Sequence, residues 1–348
     1  MKNQISYKDN HLSINGRGQI QLNTDDVDEI KYLINKKDKD LSIDSKLFLK
    51  NVVLKQQDFL KIFFPQNNKK INLSNQKLNI NFNNNNLTFS GSGKFKIYKD
   101  FEQIDYLIEK KQNKISFNTD LNIKSTKFKI DNINYEKKAD TKMNLQINGE
   151  LKNNKDLNIN RLIINEENNN IKIKNLSLNN ANQIVKIDMV NFDYLDTENK
   201  KNYYNIKRTQ SQDYLIDGTS FNANSLISNL LDADNKKKNN LFENNISIKL
   251  NLGEVYFDEV YFVKNLKGKI NIINNKVEEA DILAFYTNSQ NIKFTIKIND
   301  QGEKITTLFS SKAKPLVDRY KFIKGFKDDR EGFLDFYSLK KDGVSTSK

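Results

Sequence analysis

Alternation of apolar and polar residues dominates this chain. Between Ile246 and Leu252, and again between Ile292 and Ile298, every second residue is apolar. Side chains of a strand point alternately to the two faces of a sheet, so each stretch predicts a strand with one apolar and one polar face. Such strands come in short pairs without a βαβ rhythm. The pattern therefore predicts a mainly β protein with an antiparallel sheet.

Runs of asparagine separate many of these strands. Residues 83–86 and 168–170 are the clearest cases. Asparagine tolerates the positive φ angles that tight hairpin turns require. These runs therefore predict hairpin tips.

The first 150 residues contain an internal repeat, with one unit at about 14–55 and the other at about 89–130. Residues 16–22 align with 91–97, and after a slip of one residue, 30–37 align with 104–111. Each unit is predicted to contain a strand, a short helix and two or more further strands. Tyr32 and Tyr106 occupy equivalent positions, and we interpret both as packing residues.

Apolar residues at helical spacing predict the short helices of this region. Thr24 and Asp25 would cap the first helix, and a further helix is predicted over 57–64, ended by Pro65. The stripes in the two repeats consist of Val27, Ile30 and Ile34, and of Phe101, Ile104 and Ile108.

The chain is expected to divide at a polar stretch. Residues 198–212 carry few apolar side chains and are interpreted as a connection. Residues 1–197 then hold the repeated strand-helix-strand units, and residues 213–348 form a second region. That second region is predicted to contain a helix after Ala223, another after Ser311 and a strand after Gly332.

Charge and composition modify this picture only a little. The net charge is +13 with a pI of about 9.3, which suggests a nucleic-acid or anionic-membrane partner. Only five of the 57 basic residues are arginine, the residue best suited to gripping phosphate and guanine. We therefore expect no nucleic acid. There is no cysteine, which excludes disulfides and thiolate metal sites, and no apolar run approaches the roughly 18 residues of a membrane span.

Catalytic patterns are not found in the sequence. His11 is the sole histidine and lacks the partners that zinc sites and catalytic triads need. The Gly16-Arg17-Gly18 segment lacks the third glycine of a dinucleotide-binding loop and is interpreted as part of a strand. We expect no enzymatic activity, no cofactor and no metal.

Six segments of the second region carry a resemblance to a known family. They are 215–223, 246–252, 255–257, 266–270, 310–320 and 331–336. These segments resemble the C-terminal region of AsmA-like proteins, of the YhdP and TamB type, and they cover about a third of the chain. In this sequence Pro315 lies inside the motif's helix, and the usual double glycine is reduced to Glu331-Gly332.

The resemblance implies a long, twisted, groove-like antiparallel sheet of the bridge-like lipid-transfer type. It also implies a place in the periplasm, with an inner-membrane anchor in a segment absent from this chain, which we interpret as a fragment. The implied function is non-enzymatic: part of a conduit in cell-envelope and outer-membrane biogenesis that carries phospholipid between the inner and outer membranes. The expected partners are phospholipid acyl chains, with both membranes reached through parts outside this chain.

Residues on the alternating strands of the second region are the candidates for lipid contact. Acyl chains would lie on the apolar face, headgroups would face water, and lysines at the rim would meet phosphate. Alternation alone leaves open whether the face is an open groove or is buried against a second sheet. The candidate lipid-facing residues are Ile246, Ile248, Leu250, Leu252, Ile292, Phe294, Ile296 and Ile298.

Two alternatives belong to other classes of function. A structural or partner-binding β-scaffold for envelope assembly would have its apolar face fully covered by its own helices. A basic nucleic-acid-binding protein would bind DNA with a steep dependence on salt.

Overall fold

A computed structural model describes residues 2–22, 26–55, 63–65, 70–138, 140–153, 156–181, 183–211, 213–224, 242–320, 332–341 and 344–347. The chain divides into two compact units, Met1–Asn180 and Ala181–Lys348. Strands make up 73% of the structure and helices 3%, which confirms the predicted mainly β class. The predicted twisted, open sheet is confirmed as well, because in neither unit does the twisted sheet close on itself.

The first unit is a meander. Each strand from β1 to β8 pairs antiparallel with the next, β8 pairs with β11, and β12 and β13 follow. Between β8 and β11 the short strands β9 and β10 pair with each other around a single 3-10 turn, η1. The elements are β1 Lys2–Lys8, β2 His11–Gln21, β3 Val27–Lys37, β4 Asp40–Lys55, β5 Lys70–Asn83, β6 Asn86–Lys96, β7 Glu102–Lys111, β8 Lys114–Ile123, β9 Lys129–Ile130, η1 Asp131–Ile133, β10 Tyr135–Glu136, β11 Met143–Lys152, β12 Asp156–Glu166 and β13 Asn169–Leu178.

The second unit is a sheet in which successive strands are neighbours from β14 to β23. One short helix, α1, lies between β21 and β22. The elements are β14 Ile184–Leu195, β15 Lys201–Arg208, β16 Tyr214–Asn222, β17 Ile246–Tyr256, β18 Phe262–Ile273, β19 Lys276–Phe285, β20 Asn291–Ile298, β21 Lys304–Ser310, α1 Lys314–Tyr320, β22 Leu334–Lys341 and β23 Val344–Ser347. Strand β15 lies inside the stretch interpreted from the sequence as a polar connection.

One pair of strands departs from the predicted antiparallel arrangement. Strands β16 and β17 run parallel, with Tyr214 opposite Ile248 and Asn222 opposite Tyr256. A parallel pair needs a crossover of about a dozen residues or more, and the connection from Asn222 to Ile246 is long enough to supply it. The prediction of a purely antiparallel sheet is therefore wrong at this one position.

The helices predicted in the two repeats are wrong. Their residues form strands β3 and β7 instead. Ile30 and Ile34 are also an even number of positions apart, so they share one face of a strand as readily as one side of a helix. Hydrogen bonds to a neighbouring strand on each side then favour the extended form over a weak helical stripe.

The remaining helix predictions have mixed outcomes. The helix after Ser311 is confirmed as α1, and the strand after Gly332 is confirmed as β22. Thr24, Asp25, most of 57–64 and the helix predicted after Ala223 lie outside the described residues.

The predicted hairpin tip at 83–86 is confirmed. Asn84 and Asn85 connect β5 to β6 with φ angles of 43° and 72°. At the second predicted tip the positive φ falls on Glu167, at 46°, while Asn169 already belongs to β13. These turns let each strand return beside the one before it, which produces the meander.

Candidate functional site

The first unit has one apolar face that crosses all eleven strands of its sheet. Side chains that lie opposite each other on paired strands point to the same face, so the strand register defines rows across the sheet. One row runs from β1 to β13 through Ile5, Ile14, Ile34, Ile43, Phe82, Leu87, Lys110, Ile115, Leu151, Leu157 and Leu178.

The opposite face of the same sheet is polar. The neighbouring row on that face contains one leucine, Leu33, among polar and charged side chains. It reads Gln4, Asn15, Leu33, Asp44, Asn81, Thr88, Glu109, Ser116, Glu150, Asn158 and Ser177. The amphipathic pattern of the sequence is thus carried across the full width of the sheet.

One end of the sheet carries the turns at residues 9–10, 38–39, 84–85 and 112–113, here called the hairpin tips, and at this end the apolar face is open in the described structure. Within the described ranges the closest contacts of each strand are chiefly with its hydrogen-bonded neighbours. Ile34, Phe82 and Ile108 are only half-buried, while Ile5 and Tyr7 are 65% and 70% exposed. An exposed apolar surface of this kind typically marks a binding surface.

In each repeat a tyrosine ring lies over a glycine of the neighbouring strand on this face. Gly16 is opposite Tyr32, and Gly91 is opposite Tyr106. A Cβ at Gly16 would lie 2.4 Å from the Tyr32 ring carbon Cζ, and one at Gly91 would lie 2.5 Å from Cζ of Tyr106. The predicted packing role of both tyrosines is confirmed, on strands rather than on helices.

The other end of this face is covered by an aromatic cluster. The Phe128 ring stacks on Phe63 with ring centres 5.9 Å apart, and meets Phe64 edge-on at 5.4 Å and Tyr135 at 6.4 Å. Phe64, Phe128 and Tyr135 are at most 4% exposed. These residues come from the connections between β4 and β5 and between β8 and β11. We call this region the closed end of the first unit.

A buried carboxylate, that of Glu166, binds the closed end together. Its Oε2 accepts hydrogen bonds from the Tyr135 hydroxyl at 2.8 Å and from the Asn169 amide at 3.0 Å. Its Oε1 accepts from the Lys138 backbone N–H at 2.7 Å and from the Thr141 hydroxyl at 2.6 Å. Burial alone would raise the pKa of Glu166, but these hydrogen bonds outweigh it and hold the pKa below its usual value.

Burial also shifts the pKa values of two neighbouring groups, Tyr135 and Lys137. The pKa of Tyr135 is raised by burial and by the adjacent Glu166 carboxylate. Burial lowers the pKa of Lys137, against the opposing attraction of Glu166 and Glu102. The Lys137 ammonium donates to two backbone oxygens, those of Lys124 and Lys138. Every one of these groups has a partner within the protein, which indicates a structural rather than a catalytic cluster.

The second unit places the eight sequence-predicted residues together on one face. Ile248 and Ile296 lie in a row through Ile270 and Ala280, and Leu250 and Phe294 lie in the next row. Strands β18 and β19 separate the two predicted strands, and they add Gly268 and Ile282 to the second row. The eight sequence-predicted residues do not include these intervening side chains, although Ile270 and Ile272 alternate with Lys269 and Asn271 and could have been found by the same signal. They also include no residue of the apolar face of the first unit.

Exposure varies along this second face. Leu252 is only 4% exposed, Ile298 is 51% exposed, and the other six predicted residues are half-buried. Helix α1 follows β21, which ends at the same end of the sheet as Leu252, and its Leu316 and Val317 are each 4% exposed. The Tyr261 hydroxyl donates to the Asp318 carboxylate at 3.0 Å and ties α1 to the turn between β17 and β18. The second face is therefore covered near Leu252 and uncovered near Ile298.

Two further observations concern the described residues. They contain no group of three or more His, Asp or Glu side chains that could hold a metal ion. No helix among them has the length and apolar character needed to cross a membrane. Comparison with known proteins found no matching family model, curated protein or solved structure.

Proposed function

We propose that this protein is a non-enzymatic lipid-binding segment that holds acyl chains on its open apolar faces and contributes to phospholipid transfer. The observation that carries the proposal is the apolar face of the first unit, which crosses eleven strands and is covered only at its closed end within the described part. A packed protein would bury such a face against a second layer. Hydrocarbon chains are a cover of matching chemistry.

The dimensions of the face suit an acyl chain. Along β3, the stretch from Ile30 to Lys36 spans about 20 Å at about 3.3 Å per residue. One leaflet of a bilayer core is about 15 Å thick, half of the roughly 30 Å hydrocarbon layer. A single extended acyl chain can therefore lie along one strand between the hairpin tips and the closed end.

The energetics favour the acyl chain as the main source of affinity. Each methylene that leaves water contributes about 0.8 kcal/mol, whereas one lysine near a lipid phosphate contributes about 1 kcal/mol. Even a few methylenes in contact with the apolar face outweigh a single charge contact. Lipids of different headgroup should consequently share this surface.

The wider setting follows from the AsmA-like resemblance of the second region. On that basis the protein acts in the periplasm as part of a conduit between the inner and outer membranes, with both membranes reached through segments outside this chain. The scaffold alternative requires the apolar face to be fully covered by protein. The open part of each face favours lipid binding over it.

The proposal is tested by site-specific photo-crosslinking. A photoreactive amino acid at Ile248, on the apolar face, should capture phospholipid in purified protein, and native mass spectrometry should show co-purifying lipid. The matched control is the adjacent Lys249, whose side chain points to the polar face. Capture at Ile248 but not at Lys249 supports the proposal. Equal capture at both positions, or no lipid in the protein and no uptake after delipidation, would refute it.

A further inference from the structure

The two repeats of the first unit share a nine-residue pattern on their apolar face. In β3 the face presents Asp28, Ile30, Tyr32, Ile34 and Lys36 at alternate positions. In β7 the equivalent positions hold another acid, two isoleucines, a tyrosine and a lysine, in the same order. They are Glu102, Ile104, Tyr106, Ile108 and Lys110.

The acid of each pattern already has a structural role. Asp28 is fully buried and its Oδ1 accepts the Lys50 backbone N–H at 2.8 Å. Glu102 is 7% exposed and its Oε1 accepts the backbone N–H groups of Lys124 and Ser125 at 2.5 and 2.7 Å. Each carboxylate thus binds backbone N–H groups, inside β4 in the case of Asp28 and directly after β8 in the case of Glu102.

The tyrosines also have partners. The Tyr32 hydroxyl donates to Oδ1 of Asn3 at 2.8 Å, and the Tyr106 hydroxyl donates to Oε1 of Gln76 at 3.3 Å. The rings lie over the glycines opposite them and form part of the floor of the face.

The lysines differ from the other polar groups of the pattern. Lys36 lies between Leu12 and Leu41 on the neighbouring strands, and Lys110 lies between Leu87 and Ile115. Both side chains are exposed, and neither forms a hydrogen bond or an ion pair with any described residue.

Each lysine places a cation at the open end of the apolar face, beyond the last isoleucine of its strand. Each is close to a hairpin turn at the open end, and the buried acid of the same strand lies eight residues away at the opposite end. The four strand steps from β3 to β7 separate the two lysines by about 19 Å at about 4.8 Å per step. At this distance each lysine can bind a separate ligand.

We propose that Lys36 and Lys110 are headgroup-binding residues, one per repeat, that bind the phosphate of a phospholipid at the rim of the apolar face. The inference rests on the proposed lipid-binding function and deepens it by assigning an orientation. The headgroup lies at the hairpin tips, and the acyl chain runs along the strand toward the closed end. The aliphatic neighbours of each lysine exclude part of the water that would surround it in a polar row. The lower local dielectric constant strengthens the attraction between the ammonium and a phosphate.

The chain provides a matched control for this assignment. Lys37 and Lys111 directly follow Lys36 and Lys110 in the same strands, so their side chains point to the polar face. All four lysines are exposed. The double variant K36E/K110E and the double variant K37E/K111E therefore change the net charge equally and differ only in the face that they alter.

The test measures binding of two probes with the same fluorescent acyl chain, phosphatidic acid and diacylglycerol, to the full chain by fluorescence titration. K36E/K110E should weaken phosphatidic acid binding about thirtyfold, because replacing about 1 kcal/mol of attraction by a similar repulsion changes the binding free energy by about 2 kcal/mol, and it should leave diacylglycerol binding unchanged. K37E/K111E should leave the affinity for both probes within about twofold of wild type. Excess inorganic phosphate should not release bound phosphatidic acid, because the acyl chain supplies most of the affinity.

Orientation is measured with a phosphatidic acid that carries a diazirine at the acyl terminus. Its crosslinks should map near Leu47 on β4, toward the closed end, rather than near Leu41 at the hairpin tips. Equal loss of affinity in both double variants, no loss in K36E/K110E, or crosslinks centred on Leu41 would overturn the assignment while lipid binding stands. Failure of wild-type protein to bind either probe would remove the proposed function itself.

Discussion

The closed end of the first unit allows one stability prediction to be worked out in detail. Glu166→Gln replaces a carboxylate that accepts four hydrogen bonds, two on each oxygen, by an amide with one oxygen and one NH2 group. The NH2 group must then face two donors, either those from Tyr135 and Asn169 or those from Lys138 and Thr141. The shape of the side chain is retained, so packing around it is largely unchanged.

The cost follows from the two hydrogen bonds that are lost. A hydrogen bond to a charged group contributes about 1.5–3 kcal/mol, and rotation of the Tyr135 hydroxyl or of the Asn169 amide recovers part of one. We expect the free energy of unfolding at neutral pH to fall by about 3 kcal/mol. This is a large fraction of the roughly 5–15 kcal/mol that stabilises a typical domain.

The pH dependence provides a second, independent observable. The pKa of Glu166 is lowered in the folded protein, so its ionisation stabilises the fold above the unfolded pKa of about 4.3. That contribution is lost as the pH falls through the lower, folded pKa. Wild-type stability should therefore decline below about pH 5 more steeply than that of the glutamine variant, and the difference between the two should shrink.

The assay is urea denaturation followed by circular dichroism at several pH values between about 7 and 3. Glu167→Gln is the matched control, because the neighbouring Glu167 is exposed in the turn and the same chemical change there should cost less than about 0.5 kcal/mol. A cost at neutral pH as small as that of the control would refute the hydrogen-bond reasoning. A difference that stays constant as the pH falls would refute the assigned role of the ionised carboxylate.

Three further substitutions test other parts of the fold. Tyr135→Phe should cost about 2 kcal/mol in urea denaturation by removing one donor to the buried Glu166 carboxylate. Gly91→Ala should cost about 1–3 kcal/mol in the same assay, because the new Cβ meets the ring of Tyr106. Leu316→Ala should lower the free energy of unfolding of the second unit by about 2–4 kcal/mol in a thermal denaturation experiment, because Leu316 lies on the buried face of α1.

Each of these has a control in the same chain. Tyr7→Phe, on a tyrosine that is 70% exposed, should cost less than about 0.5 kcal/mol. Gly332→Ala should be nearly neutral, since its Cβ would lie 3.9 Å from the nearest atom, Cβ of Ala313. The control for Leu316→Ala is Val260→Ala, because the Val260 side chain is 73% exposed. If a control destabilises the protein as much as its test substitution, burial and contact are not the cause of the lost stability.

Turn chemistry could be predicted because it depends on a few adjacent residues. Asn84 and Asn85 adopt positive φ at a hairpin tip as expected. The tip predicted at 168–170 lies one or two positions earlier, at Glu167 and Asn168, since the strand register on both sides determines which residues remain for the turn.

The helices in the repeats show where local reasoning fails. The spacing of Ile30 and Ile34 is compatible with a helix and with a strand. Only the presence of β2 on one side and β4 on the other decides between them. In the same way, the parallel pairing of β16 and β17 depends on where the long connection after Asn222 brings the chain back.

The sequence by itself determined which side chains share a face. Alternation placed Ile248 and Ile296 on the apolar side of their strands, because the direction of a side chain in a strand depends only on its position along the chain. Only the tertiary structure decided which parts of that face are covered. The contact between Tyr135 and Glu166 joins residues 31 positions apart, and such contacts form only when the strands assemble, so no local pattern distinguishes the closed end from the open one.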